Sequence, residues 1–150
     1  MDGDLSLDFL RVVEQAAIAC AHTMGQGDRH KSDQVAVEAM RREMDNVPID
    51  GTIVIGEGER DEAPMLFIGE KVGSAQGTGP CIDIALDPLE GTTITAKAGP
   101  NALAVLAIAE QGCLLNAPDV YMDKLAIGPG YPEGTIDLAK SPTENIRAVA

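Results

Sequence analysis

The spacing of apolar residues predicts two helices at the start of the chain. Between residues 5 and 20, apolar side chains recur every three or four positions, which places them on one helical face. A second apolar stripe predicts a helix from about residue 32 to 45, ended by Pro48. Asp33 would lie in the first turn of this helix, where a carboxylate complements the positive helix terminus.

Beyond residue 50 the pattern changes to short β-rich segments bounded by Gly and Pro. Helices followed by several strands favour an α+β fold with layered elements. Residues 65–72 fit either a short helix or an irregular segment. Predicted strands cover residues 52–55, 82–86 with an end at Asp87-Pro88, 102–109 and 113–115 as a hairpin, and 121–127.

The last ten residues predict the beginning of another helix. Ser141, Pro142 and Glu144 match a capping box with proline at the first helical position. The residues that follow Glu144 are enough for under about three turns. We therefore expect residues 1–140 to form one lobe, and residues 141–150 to open a helix of a following lobe that is cut off.

Composition and charge narrow the classes of function. The chain of 150 residues carries 11 basic and 24 acidic side chains, a net charge of −13, which argues against nucleic-acid and anionic-membrane partners. No apolar run reaches the roughly 18 residues of a membrane span. Three widely spaced cysteines and two histidines make a structural zinc site improbable, and predict buried thiols in a cytoplasmic protein.

An acidic, glycine-containing segment follows the first predicted strand. Between Gly56 and Pro64 it holds four carboxylates, and Asp61 stands where a dinucleotide-binding motif needs its third glycine. Two such charges about 4 Å apart repel by roughly 4 kcal/mol at an effective dielectric constant of about 20. The segment therefore needs a cation or water, and on its own a solvated acidic loop fits it slightly better than a cation site does.

A second acidic motif ends the next predicted strand. Asp87 and Glu90 flank a proline, and Gly91 and Thr92 follow them. Two carboxylates and a hydroxyl on one turn suit a hard cation. An ordinary Asp-Pro turn is the alternative for this motif. Asp33 has a similar alternative, since helix capping alone would explain its position.

The order and spacing of these motifs resemble the class II fructose-1,6-bisphosphatases, including the cyanobacterial type that also accepts sedoheptulose-1,7-bisphosphate. Those enzymes belong to the lithium-sensitive phosphatase superfamily. Glu90 replaces the second aspartate of the motif that is typical of the superfamily, as is typical of class II. The matching segments are residues 27–33, 50–59, 61–66, 87–92, 101–107 and 115–122.

The resemblance implies a layered αβαβα sandwich, of which this chain would be the N-terminal lobe, and a site for Mn²⁺ or Mg²⁺. Asp33 and Glu57 would hold one ion, and Asp87 and Glu90 another. Asp61 paired with Thr92 would orient and deprotonate the attacking water, helped by Glu59. In full, it implies metal ligands Asp33, Glu57, Asp87 and Glu90, catalytic residues Asp61, Thr92 and Glu59, and substrate-binding residues Glu90, Gly91, Thr92, Tyr121 and Arg29.

The implied activity is hydrolysis of the 1-phosphate of fructose-1,6-bisphosphate, and of sedoheptulose-1,7-bisphosphate, in gluconeogenesis or the Calvin cycle. The implied full-length enzyme is a cytoplasmic homo-oligomer, a dimer or a tetramer, that acts on a small sugar bisphosphate. Members of the family are considerably longer than this chain. An inactive metal-binding fragment is therefore one alternative, and a superfamily phosphatase for inositol phosphates or a phosphonucleotide is another.

Overall fold

The computed structural model describes residues 3–57, 65–115, 117 and 120–150. The chain divides into two compact units, residues 1–117 and residues 118–150. Helices and a four-stranded sheet confirm the predicted α+β class. The first unit contains α1 (Gly3–Ala21), α2 (Arg29–Met44), β1 (Asp50–Ile55), β2 (Lys71–Val72), β3 (Cys81–Glu90), α3 (Thr92–Ala96) and β4 (Leu103–Glu110), and the second contains α4 (Pro142–Val149).

The four strands form one mixed sheet in the order β2-β1-β3-β4. The central strands β1 and β3 are parallel, and each outer strand is antiparallel to its neighbour. Strand β4 confirms the strand predicted for residues 102–109. The predicted hairpin of this strand with residues 113–115 is wrong. Residues 113–115 form no strand, and β4 pairs with β3 instead.

The hydrophobic core lies between the sheet and one layer of helices. Helices α1 and α2 pack on the same face, where aliphatic and methionine side chains are almost completely buried. Each such side chain stabilises the fold by about 1.5–3 kcal/mol. The main contributors are Phe9, Val12, Ala16, Val37, Met40 and Met44 from the helices, and Ile53, Ile82, Ile84 and Leu86 from the sheet.

Helix α2 begins three residues before the predicted start. Asp28 is its N-cap, and the Asp28 side chain accepts a hydrogen bond from the Lys31 amide at 3.0 Å. The first turn therefore contains no acidic residue, and the predicted place of Asp33 in that turn is wrong. Asp28 and Ser32 are both good capping residues, so composition alone does not choose between them.

Strand β3 continues through the proline at which the sequence predicts its end. Asp87 lies opposite Val105, and Glu90 lies opposite Leu103. The register shifts between these two pairs, so β3 contains a bulge. A proline is tolerated at a bulge because no ladder hydrogen bond requires its missing N–H.

A further strand prediction is wrong. Residues 121–127 form no strand, and their side chains are exposed. Strand propensity is realised only where another strand supplies a ladder and packing neighbours.

Of the three predicted buried thiols, only Cys20 is buried, while Cys81 and Cys113 are exposed. Cys81 opens β3 at the end of the sheet, and Cys113 follows the turn after β4.

The second unit confirms the predicted capping box. Ser141 accepts a hydrogen bond from the Glu144 amide, and the Glu144 side chain accepts one from the Ser141 amide. Asn145 is buried and ties this helix to the Asp137 backbone in both directions. The predicted lobe boundary at residue 140 stays a prediction. Within the described residues, no helix is long and apolar enough to cross a membrane.

Candidate metal centre

The two parallel strands deliver acidic residues to one edge of the sheet. In their register Ile55 of β1 lies beside Ala85 of β3. Glu57 follows two residues after the end of β1, and Asp87 lies two residues further along β3, so both lie at the carboxyl edge of the parallel pair. Loops at this edge are the usual place for sites in sheets with parallel strands.

At this edge, Asp87 is half-buried and is influenced by two other acidic side chains. Burial raises the pKa of Asp87 to about 6, helped by a side-chain hydrogen bond with Glu90 and by the negative charges of Glu90 and Asp33. The Leu89 amide acts in the opposite direction, because it donates to Asp87 Oδ1 at 2.9 Å. A half-buried carboxyl under these influences would ionise more readily beside a cation.

Helix α2 brings the third predicted ligand to the same place. Asp33 is half-buried on this helix, and its charge raises the pKa values of both Asp87 and the Cys20 thiol. For Cys20, burial is the larger cause. The fold thus gathers Asp33, Asp87 and Glu90, although more than fifty residues of sequence separate the first from the other two.

A buried polar network fixes the start of α2 against α1. Thr23 Oγ1 donates to the Cys20 carbonyl at 2.9 Å and shares a 2.8 Å hydrogen bond with Ser32 Oγ. The connecting loop also binds α3, since the Gly25 and Gly27 amides donate to the Thr95 and Ala96 carbonyls, each at 2.9 Å. Asp33, adjacent to Ser32, is therefore tied to the helix that follows the second acidic motif.

Replacing Thr23 by valine tests this network. The isosteric change leaves buried hydrogen-bonding groups without their partner, so we expect the free energy of unfolding to fall by about 1–2 kcal/mol. Thr78→Val is the matched control, because Thr78 Oγ1 makes its single 3.3 Å hydrogen bond in an exposed loop. Equal losses in urea unfolding of both variants would contradict the role of the Thr23 network.

The remaining predicted residues have different surroundings. Gly91 adopts a left-handed φ of 105° as the N-cap of α3, and Thr92 is the first residue of that helix. Arg29 is exposed at the first position of α2, and Tyr121 of the second unit is fully exposed. Glu59 and Asp61 lie outside the described residues.

Sequence reasoning missed the residues that support Glu57. The Glu57 amide donates to the carbonyl of Leu66 at 3.0 Å, and the Leu66 amide donates to the Glu70 carboxylate. Glu70 in turn accepts a hydrogen bond from Arg41 Nε at 2.5 Å. Arg41 and Glu70 are 29 residues apart and belong to no short motif, so no sequence signal indicates the pair.

The donor chemistry fits a hard divalent cation. Asp33, Glu57, Asp87 and Glu90 offer only carboxylate oxygens, the ligands that Mg²⁺ and Mn²⁺ prefer. The pKa of Asp87 is raised mainly by burial and also by neighbouring negative charge, and a bound cation would offset both effects. Within the described parts of the chain, no three His, Cys, Asp or Glu side chains already stand close enough to hold an ion.

The chain matches known proteins over its whole length. Residues 3–150 match the family model described as bacterial fructose-1,6-bisphosphatase, glpX-encoded. The chain is 56% identical to fructose-1,6-bisphosphatase 1 class 2 of Escherichia coli K12, over 100% of this chain and 44% of that protein. It is 53% identical to a D-fructose 1,6-bisphosphatase class 2/sedoheptulose 1,7-bisphosphatase of Prochlorococcus marinus NATL1A, with the same coverage.

The match extends over the whole chain but over less than half of each of these relatives. The acidic motifs and the elements that carry them all lie inside the matched residues. The chain therefore belongs to the class II fructose-1,6-bisphosphatase family.

Proposed function

We propose that this chain supplies the metal-binding part of a phosphoric monoester hydrolase that removes the 1-phosphate of fructose-1,6-bisphosphate, and also acts on sedoheptulose-1,7-bisphosphate. The observation that carries the proposal is that Asp87 lies half-buried at the carboxyl edge of the parallel strands, with the Glu90 carboxyl hydrogen-bonded to it and the charge of Asp33 acting on it. The names of the relatives supply the substrate class. The cytoplasmic location, the pathway and the homo-oligomeric state belong to the same proposal.

Asp33, Glu57, Asp87 and Glu90 would hold Mn²⁺ or Mg²⁺. When bound, such ions polarise the ester phosphate and offset charge that develops on the leaving oxygen. Asp61 with Thr92 would orient a water molecule and take its proton, and Glu59 would assist them. The water oxygen forms the new bond to phosphorus, and the bond to the sugar oxygen breaks.

An inactive metal-binding fragment is the second candidate function. It is favoured by one observation, namely that the chain spans 44% of the length of its relatives. Residues that bind the second phosphate would lie in the part of the relatives that this chain does not span. Both candidates predict the same cation site, and they differ in turnover.

Phosphate release with Mn²⁺ and fructose-1,6-bisphosphate, measured beside Mn²⁺ calorimetry, separates these functions. The proposed enzyme binds Mn²⁺ and releases phosphate, and Asp87→Ala abolishes both. Glu38→Ala, an exposed change on α2, is the matched control and should leave both intact. Binding without release would indicate the inactive fragment, and the absence of Mn²⁺ binding would favour a solvated acidic loop. A preference for an inositol phosphate would assign the chain to the other superfamily activity.

A further inference from the structure

Leu66 occupies a backbone conformation that its own residue type disfavours. Its φ of 59° is left-handed, a conformation that is unfavourable for a residue with a Cβ, and its side chain is completely buried. Both backbone polar groups of Leu66 are used, since the carbonyl accepts from the Glu57 amide and the amide donates to Glu70. Surrounding contacts must therefore hold Leu66 in place.

Glu70 makes the contact that connects Leu66 to helix α2. One carboxylate oxygen accepts from the Leu66 amide, and the other accepts from Arg41 Nε at 2.5 Å. The side chains of Arg41 and Glu70 are only 20% and 11% exposed. Hydrogen bonds between ionised groups in such partly buried surroundings are roughly twice as strong as neutral ones.

A second ion pair holds the Arg41 guanidinium at the C-terminal end of its own helix. Arg41 Nη1 pairs with the Asp45 carboxylate one helical turn later. Burial alone would lower the pKa of Arg41, but hydrogen bonds to Asp45 and Glu70 raise it above its ordinary value. The guanidinium therefore stays charged and bridges its own helix to the segment that follows β1.

We propose that Arg41 and Glu70 are positioning residues that fix Glu57 relative to α2 through the backbone of Leu66. This inference rests on the proposed function, because it takes Glu57 as a metal ligand. Helix α2 carries another proposed ligand, Asp33. The Arg41–Glu70 pair thus ties together two elements that supply ligands to one ion.

The pair acts by preorganisation. A ligand held in place before the ion arrives does not lose conformational freedom when the ion binds. Groups that support metal ligands in this way typically change metal affinity by about 10–100-fold when they are removed. We expect a change of this size when the Arg41–Glu70 pair is broken, although neither side chain would touch the ion.

The test uses Glu70→Gln, which keeps the shape and an acceptor for Leu66 but loses the charge, and Arg41→Met, which keeps much of the apolar stem. The matched control is Lys71→Met, which breaks the 3.2 Å ion pair with Asp50 between β2 and β1 without touching Leu66. Mn²⁺ affinity is measured by calorimetry. Amide hydrogen exchange of Glu57 and Leu66 is measured by NMR without metal, together with the free energy of unfolding.

We expect Glu70→Gln and Arg41→Met each to weaken Mn²⁺ binding about 10-fold or more and to speed exchange of both amides. The double variant should be no worse than the worse single variant, since both changes break one contact. Lys71→Met should leave Mn²⁺ affinity and both exchange rates unchanged.

Unchanged affinity and exchange in both pair variants would overturn the proposal. Equal effects in Lys71→Met would also overturn it, because they would reduce the pair to general stability. If the wild-type chain binds no Mn²⁺, the proposed function fails. The exchange data would still decide whether the pair fixes Glu57, so the two failures are distinguishable.

Discussion

Asp87→Asn is expected to stabilise the metal-free chain near neutral pH and to abolish Mn²⁺ binding. The ionised carboxyl of Asp87 is half-buried beside two other acidic side chains, and asparagine removes that unfavourable charge with little change of shape. Because the pKa of Asp87 is raised from 3.8 to about 6, its ionised carboxyl lowers the free energy of unfolding at neutral pH by at most about 3 kcal/mol. Solvent screening reduces this cost to about 1–2 kcal/mol. Urea unfolding in the presence of a chelator measures this gain.

The pH dependence of this gain follows from the direction of the pKa shift. The folded chain binds the Asp87 proton more tightly than the unfolded chain, where the ordinary value is 3.8. Stability from the protonated group is therefore complete below about pH 3.8 and is lost as the pH rises through about 6. The stability curves of wild type and Asp87→Asn should meet near pH 4, diverge between about pH 4 and 6, and stay apart by a constant amount above about pH 6.

Asp50→Asn is the matched control with the opposite sign. The Gly77 amide and Lys71 hold the pKa of Asp50 below its usual range, so the same chemical change removes favourable contacts. This variant should lose stability at neutral pH and should still bind Mn²⁺. If Asp87→Asn also lost stability without metal, the account of Asp87 as a strained charge would be wrong.

Gly56→Ala is expected to lower the free energy of unfolding by about 3 kcal/mol, as overpacking of a close backbone contact does. A Cβ at this position would lie 2.2 Å from the carbonyl oxygen of Leu66 and 2.7 Å from Cγ2 of Ile53. The oxygen belongs to backbone and cannot rotate away. The 3.0 Å hydrogen bond from the Glu57 amide to this oxygen would be lost, and Mn²⁺ affinity should fall with it.

Gly69→Ala separates steric crowding from backbone strain. Gly69 has a φ of 89°, and a Cβ added there would meet no atom within 4 Å, so the cost of alanine is strain alone, about 1 kcal/mol. Chemical unfolding and Mn²⁺ calorimetry of the two variants provide the comparison. Similar losses of stability in both variants, or unchanged Mn²⁺ affinity in Gly56→Ala, would contradict the steric explanation.

The candidate ligands were predictable because they lie in short motifs. Asp87 and Glu90 end a strand whose apolar residues 82–86 reveal it, and Asp33 lies on an amphipathic helix. Their supporting contacts were not predictable in this way. Arg41 meets Glu70 only because α2 packs beside the segment after β1, and tertiary packing of this kind leaves no local pattern in the sequence.

The fold shows the same division between local and distant causes. The capping box at Ser141 depends on residues three positions apart, and the structure confirms it. The predicted strand 121–127 depends on a distant partner, and the described residues supply none. Helix α2 starts early because Asp28, rather than Ser32, is its N-cap. The Ser32 hydroxyl instead shares a hydrogen bond with Thr23, which follows α1.

The bulge in β3 determines which acidic residues can meet. A regular strand alternates its side chains between two faces, so residues three positions apart point in opposite directions. Asp87 and Glu90 are three apart, yet their carboxyls share a hydrogen bond, because one extra residue in the strand restores their parity. The contact between these carboxyls therefore depends on the extra residue that the bulge places between them. Without the bulge, a regular strand would point Asp87 and Glu90 to opposite faces and separate them, although every acidic residue of the motif would still be present.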